Sequence, residues 1–353
     1  MLNKRPSRNG NNINELNTLV VDGNSLFKRG FLGAKDEYNS NGQHIGGLYQ
    51  FITILRNVMD EDLYHRVYVF WDGKYSGKLR YELYKDYKSG RGKDYEHGTM
   101  PIDKDELNQK IRIKKYLEEL FIRQLEDEIV EADDFIAYIC NNKLENEKIT
   151  IITSDRDLCQ LINDKVKIYM CDLKTYVTKE NFNRHFKYKL ENAALMKVLC
   201  GDNSDSIKGV KRLGEDTLLK HFPEVRKEVL TIEQVINKSK LLQDERIANK
   251  KKPLQILTNI YDGITDGVQG NELYKINNLL VNLKKPLLTE DAISRVNDLI
   301  DLPINPEGRD IKNVYRYTKD DGMQDKIKYN IEEYFMPFKK LMGREIKNNS
   351  LIK

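Results

Sequence analysis

Short β-branched runs alternate with apolar-periodic stretches in the first half of the chain. LNTLVVD (16–22), RVYVFWD (66–72) and ITIITSD (149–155) read as buried strands, and each ends in an aspartate: Asp22, Asp72 and Asp155. VKIYMCD (166–172) predicts a further strand. Between them, GNSLFKRGF turns through Gly23 into the start of a helix, and residues 47–59 carry apolar residues at helical spacing. Residues 103–125 also read as helical, with Ile111, Ile113, Tyr116, Leu117 and Leu120 as apolar positions. Glu131, Asp133 and Asp134 open another helix, whose buried face is Phe135, Ile136, Ile139 and Cys140. Strand–helix alternation predicts right-handed crossovers and an α/β fold with a mainly parallel sheet flanked by helices. Ligands of such sheets bind beyond the carboxyl ends of the strands, so Asp22, Asp72 and Asp155 are expected on one edge.

Near residue 193 the pattern changes to helices and hairpins. The stretch 195–222 reads as helix, glycine-containing hairpin with Gly209 and Gly214, and a second helix beginning at Thr217, Leu218 and Leu219. Such a unit exposes backbone N–H groups to a phosphate, and Lys208, Lys211 and Arg212 add positive charge. Beyond 223 the pattern predicts helices broken near Pro253 and Pro286 and an amphipathic AISRVNDLIDL segment. An aromatic patch at Tyr334, Phe335, Met336 and Phe338 is expected to dock on the body. The run Lys250–Lys252 reads as a solvated surface that could also touch nucleic acid.

Charge sharpens the picture. The 353 residues hold 59 Lys and Arg against 55 Asp and Glu, a net of only +4. The signs are separated along the chain. Acids gather at 131–134, at Asp155 and Asp157, and at Asp202 and Asp205. A basic, aromatic stretch at 73–98 interleaves Lys74, Lys78, Arg80, Lys85, Lys88, Arg91 and Lys93 with Tyr75, Tyr81, Tyr84, Tyr87 and Tyr95. Cations of this kind bind phosphates and tyrosine faces stack bases, although a solvated charged helix has the same composition. Carboxylates forced together resist ionising unless hard divalent cations join them, and oxygen donors suit Mg2+ and Mn2+. An acid at a helix start, or an Asp after a strand, is by itself ordinary dipole or turn chemistry. Recurrence at three strand ends favours a metal site.

Cys140, Cys159, Cys171 and Cys200 form no C-x-x-C pair and predict small buried residues in a reducing compartment rather than a zinc site. The first residues lack an apolar signal core, and no run approaches membrane-spanning length. A cytoplasmic location in a bacterial or phage-infected cell is the expectation.

The motifs, taken in order, resemble the structure-specific 5′-nucleases: flap endonucleases, the 5′-nuclease domain of bacterial DNA polymerase I, and the phage branch that includes phage RNase H. LVVDGNSLFKRGF, with Arg29 and Phe31, GGLYQF, VFWDG, YKSGR, EADD, TSDRDL and GDNSDSIKGV carry the likeness, over about residues 16–222. The resemblance implies a PIN-like core and a helix–three-turn–helix. The expected divisions are a flexible arm (1–14), the nuclease core (15–192) with a helical gateway at about 74–115, a DNA-binding helical region (193–300) and a C-terminal helical extension (301–353).

The resemblance also implies residue roles. Asp22, Asp72, Glu131, Asp133, Asp134, Asp155, Asp157, Asp202 and Asp205 would hold two Mg2+, with Mn2+ able to substitute, and K+ is a further expectation at the hairpin. Lys88 and Arg91 would act at the scissile phosphate. Arg29, Arg80, Tyr87, Lys208, Gly209, Val210, Lys211, Arg212, Leu213 and Gly214 would contact DNA. The sequence departs from the family pattern where Ser206 and Lys208 stand in the Asp-Asn-Ile-Pro-Gly-Val motif, and where Asp216 replaces a lysine.

The expected activity is 5′-3′ exonuclease and flap endonuclease action on 5′ ends of branched, nicked or RNA-primed DNA, with RNase H activity as an extension. The partners would be DNA with a 5′ flap or 5′ end, an RNA–DNA hybrid, and a single-strand-binding protein or sliding clamp. A stand-alone monomer with no membrane association is expected. The rival readings are a PIN-type ribonuclease, which has little use for a duplex-gripping hairpin, and a DNA-binding module with vestigial acids.

Overall fold

The computed structural model describes residues 16–91, 103–265, 270–328 and 330–351. The expected arm, and Lys93 and Tyr95 of the basic stretch, lie outside the described residues. Six strands form one sheet: β1 (Asn17–Asp22), β2 (Arg66–Asp72), β3 (Arg123–Asp127), β4 (Lys148–Thr153), β5 (Val166–Met170) and β6 (Thr175–Val177). Their order is β3-β2-β1-β4-β5-β6; every pairing is parallel except β5 with β6. β1 is buried along its whole length, as a central strand with helices on both faces requires.

Helices α1 (Gly23–Gly33), α2 (Gly46–Glu61), α3 (Lys78–Leu83), α4 (Lys104–Glu119) and α5 (Ala132–Tyr138) surround the sheet, and a π-turn at Ile139–Lys143 extends α5. Gly23 lets β1 turn at once into α1: a Cβ there would sit 2.6 Å from the Trp71 ring and 2.8 Å from the Phe70 carbonyl oxygen. The helix expected over 103–125 stops at Glu119, and β3 follows. This edge strand (RQLED) escapes sequence reading because its inward positions include Arg123 and Asp127, both buried beneath later helices. Arg123 donates to the Leu299 carbonyl at 3.1 Å and pairs with Glu345, while Arg295 pairs with Asp127 at 2.7 Å.

The second half is helical: α6 (Ala193–Cys200), a small hairpin of β7 (Gly201–Asp202) and β8 (Ile207–Lys208), α7 (Glu215–His221), α8 (Ile232–Ala248), α9 (Gln255–Tyr261), α10 (Asn271–Val281), α11 (Glu290–Asp301), α12 (Ile311–Asp320), α13 (Ile331–Tyr334) and α14 (Met336–Leu351). A core of its own joins Leu195, Leu199, Val210, Leu218, Val235, Leu257 and Ile260. The last helices return to the sheet. Ala292, Val296 and Ile300 enter the core under β4 and β5, and Val314, Tyr334, Phe335, Phe338 and Leu341 join the core beneath α1 and α2, leaving Met336 exposed.

Candidate active site

The strand ends deliver their aspartates to one edge, and each is held by local chemistry. Asp22 caps α1: one oxygen accepts the Ser25 N–H at 3.0 Å and the other accepts from the Thr153 hydroxyl at 2.9 Å. Asp72 accepts the Ala132 N–H at 2.9 Å and the Asn24 side-chain amide at 3.1 Å, which fixes the start of α5 and brings Asp133 to the same edge. Past β4, Thr153 Oγ1 accepts the Asp155 N–H at 2.9 Å, and Asp155 accepts the Asp157 N–H at 2.8 Å.

Burial pushes Asp22 up to about 7, and repulsion from Asp72 and Asp155 adds to it. Burial also drives Asp133 well above the usual carboxylate range, with Asp155, Asp22 and Asp72 reinforcing the shift. Among the described residues, Asp22, Asp72, Asp133 and Asp155 have no cationic side chain as an ion-pair partner.

The other five acids each meet a protein cation. Glu131 receives Arg80 at 2.7 Å, the Lys88 ammonium and the Tyr87 hydroxyl at 2.9 Å. Burial opposes its charge, yet Lys88 and Arg80 hold it down to about 2. Asp134 is gripped by Arg80 through two bonds of 2.5 and 2.9 Å and accepts the Leu287 N–H at 2.9 Å. Lys197 bridges Asp157 at 2.7 Å and Asp202 at 2.5 Å. Burial raises Asp157 to about 7; Asp202, whose burial is offset by Lys197 and Ser204, falls to about 2. Arg91 pairs with Asp205 at 2.6 Å, although burial still raises that carboxyl.

Among the described residues no three His, Cys, Asp or Glu side chains already converge as a cage for an ion. The donor set nevertheless fits divalent cations. Four oxygen-bearing groups with no cationic partner crowd together, and two of them resist ionising for a reason that a bound dication would remove.

Residues 17–187 match the 5′-3′ exonuclease, N-terminal resolvase-like domain family. The first part of the chain, residues 17–187, belongs to this 5′-3′ exonuclease domain family. The chain is 32% identical over 235 residues to thermostable DNA polymerase I of Thermus caldophilus, covering 66% of this chain and 26% of that protein. It is 33% identical over 231 residues to DNA polymerase I of Bacillus subtilis, covering 62% and 25%. The chain thus spans about a quarter of the length of the curated relatives it matches. The T5 5′-exonuclease with bound zinc ions has the same fold at TM-score 0.58 and 19% identity, covering 87% of this chain and 98% of that one. The bacteriophage T5 flap endonuclease in a product-type complex with DNA and metal ions aligns at TM-score 0.55 and 18% identity, with the same coverage.

Seen as a 5′-nuclease, the chain departs from the sequence-based assignment at several residues. Arg80, expected to contact DNA, is buried, its guanidinium bonded to Glu131, Asp134 and, at 2.8 Å, the Leu280 carbonyl. Tyr87 is likewise buried rather than offered to a base, its hydroxyl shared between Glu131 and Asp205. The Val210 and Leu213 side chains point into the helical core, and the Val210 and Lys211 N–H groups are spent on the carbonyls of Leu199 and Ile264. Asp134 faces Arg80 and stands apart from the four carboxylates that lack a cationic partner.

Arg29, Lys208, Lys211, Arg212 and Gly214 are exposed. Gly209 packs so tightly on Cys200 that a Cβ would come within 2.2 Å of its carbonyl carbon, which fixes the hairpin against α6. The Lys88 N–H bonds the Asp205 carbonyl at 2.8 Å and Arg91 Nε bonds the Ser204 carbonyl at 2.9 Å, so the basic stretch is docked on the loop after α6. Asp216 pairs with Lys187 at the surface.

Sequence reasoning missed Lys197, Asn24 and Thr153. Lys197 lies five positions before Asp202, but its bond to Asp157 crosses 40 residues, and no local spacing rule covers that.

Proposed function

We infer that this chain is a divalent-metal-dependent phosphodiesterase cutting DNA from 5′ ends: a 5′-3′ exonuclease and flap endonuclease on branched, nicked or RNA-primed substrates. The observation that carries the reading is the group of four carboxylates without a cationic partner among the described residues, Asp22, Asp72, Asp133 and Asp155, with Lys88 and Arg91 held by the acids Glu131 and Asp205 of the same motif set. Two Mg2+, or Mn2+, bound there would supply an activated water and charge stabilisation for the departing 3′ oxygen. Asp22, Asp72, Asp133 and Asp155 would hold them, with Asp157, Asp202 and Glu131 behind. The bound DNA and metal ions of the T5 flap endonuclease, a protein of the same fold, support the substrate and the cofactor class.

The rest of the chemistry falls to the chain's own side chains. Burial opposes the charge of Lys88, but Glu131 and Tyr87 keep the ammonium protonated far above neutral pH. It therefore offers a fixed positive charge to a phosphate. Arg91, half exposed on a segment pinned to the 203–206 loop, adds a second. No histidine lies in the motifs, and proton removal by a side-chain imidazole has no part in the scheme. Lys208, Lys211 and Arg212 at the hairpin would follow the duplex beside the cut.

The test is cleavage of a 5′-flap DNA by wild type and by Asp155→Ala, each in Mg2+ and in EDTA. Cutting near the junction that vanishes in EDTA and in the variant is expected. Cleavage indifferent to both would place the chemistry elsewhere, and preference for unstructured RNA would move the assignment to a ribonuclease.

A further inference from the structure

Residues 208–252 hold twelve Lys and Arg against seven Asp and Glu, an excess larger than the +4 of the whole chain. Only part of that excess sits at the hairpin. The densest run, Lys250–Lys252, follows α8, and its backbone is locked. The Lys250 and Lys251 N–H groups close on the Ile247 and Arg246 carbonyls at 2.9 and 2.8 Å. Arg246 reaches over the turn and donates twice to the Lys252 carbonyl, at 3.2 and 2.9 Å. Gln243 holds both backbone groups of Leu254, fixing the exit.

Lys250 itself has φ of 55°, a left-handed conformation in which glycine or asparagine is easier. All three lysine side chains are exposed, and among the described residues none makes an ion pair. Nearby lysines behave otherwise: Lys187, Lys208 and Lys238 each pair with an acid.

The lysine turn and the hairpin are two ends of one unit. α9 starts just after the turn, and near its far end Asn259 and Ile264 anchor the backbone of Lys211 at 2.9 and 2.8 Å. α7 starts just after the hairpin. At its far end stand His221 and Lys220, the lysine exposed. Each helix has seven residues, about 10 Å. That separation equals about three phosphates along one DNA strand.

We propose that the Lys250–Lys252 turn, with Lys220, is a second phosphodiester-backbone site that takes the duplex arm beyond the stretch gripped at the hairpin. The proposal rests on the reading of the chain as a DNA 5′-nuclease. It gives the enzyme a ruler: a duplex arm long enough to reach the turn is held by additional cations, and a shorter one is not. A rigid turn keeps the lysines from losing backbone entropy on binding, and their lack of acidic partners means no ion pair has to break first.

The experiment uses the full chain and 5′-flap DNAs with hairpin-capped duplex arms of about 6 and about 15 base pairs, a difference larger than the separation of about three phosphates estimated above. Binding in Ca2+ is measured against salt for wild type, for Lys250→Ala/Lys251→Ala/Lys252→Ala, and for the corresponding triple arginine variant. The wild type should bind the long arm roughly 10- to 100-fold more tightly than the short arm at about 0.1 M salt, and removing the three lysines should abolish that ratio and lower the log–log salt slope by about 3. Arginine should restore both.

An alanine variant that keeps the long-arm preference and the slope overturns the proposal. So does one whose only deficit is on anionic vesicles, since the exposed Leu241 and Ile247 lie on the same helix. If wild type neither binds nor cuts either DNA, the functional reading itself has failed, which is a different result from an unchanged variant.

Discussion

Asp22→Asn should make the metal-free protein more stable. The substitution preserves local geometry: an amide oxygen can still accept the Ser25 N–H, and the amide nitrogen can donate to the Thr153 hydroxyl, which has an oxygen lone pair to spare. What disappears is the charge. Raising the carboxyl from 3.8 to about 7 corresponds to about 4 kcal/mol against its ionised form in the folded chain. Because the folded value lies above the unfolded one, the native chain binds a proton that the unfolded chain releases. Wild-type stability from this group is therefore intact below 3.8, falls as pH rises toward about 7, and stays reduced above it. The asparagine variant escapes that loss, so its advantage should be about 2 kcal/mol at about pH 5 and about 4 kcal/mol at about pH 8.

Urea unfolding in EDTA at the two pH values measures this. With Mg2+ the gap at about pH 8 should narrow to about 1 kcal/mol: wild type gains about 3 kcal/mol at a hundredfold excess over its Kd, and the variant, short of a ligand, gains little. Equal stabilities in EDTA, or a variant weaker at about pH 8, would mean that burial and repulsion do not penalise the Asp22 charge. Equal metal stabilisation of both would place the ion away from Asp22.

Other consequences are simpler to state. Arg80→Met should cost about 3–5 kcal/mol in urea unfolding, because Asp134 and Glu131 are left buried without their cation, while the flap-DNA affinity of the folded fraction stays within about twofold; a large affinity loss at full stability would make Arg80 a DNA contact after all. Lys197→Met should lower stability in EDTA by about 2 kcal/mol through Asp157 and Asp202, with Mg2+ recovering most of it; no change in EDTA would mean that the two ion pairs contribute nothing. Asp321→Ala should cost about 2–3 kcal/mol, since Tyr116 (2.8 Å) and Arg112 (2.7 Å) of α4 both lose their partner; thermal melts of the variant check it. His65 is held below its usual pKa by burial and by Arg344, so the folded chain resists protonation. Wild-type stability should fall as pH drops below about 6.5, and His65→Gln should flatten that slope in urea titrations.

The parts of this chain legible in its sequence are those written by periodicity. β1, β2 and β4 announce themselves because central parallel strands are buried on both faces and must be continuously apolar, and the aspartates that end them stand out by contrast. β3 is hidden for the opposite reason. Its buried positions include an arginine and an aspartate, which become tolerable only once Glu345 and Arg295 arrive from more than 160 residues downstream. The same non-locality limits the reading of the site. An acid at a strand end says that a carboxylate will reach the edge, but nothing in its neighbours says whether a protein cation will meet it there. Arg80 and Tyr87 belong to a stretch whose composition suits a nucleic-acid surface, yet the fold turns both inward against acids 44 to 54 residues along the chain. Composition therefore gave no sign of this burial, and it hid a division within the acidic set. Among the described residues five carboxylates meet side-chain cations of this chain, and four have none; burial and mutual repulsion keep Asp22 and Asp133 from ionising readily until a cation from outside joins them.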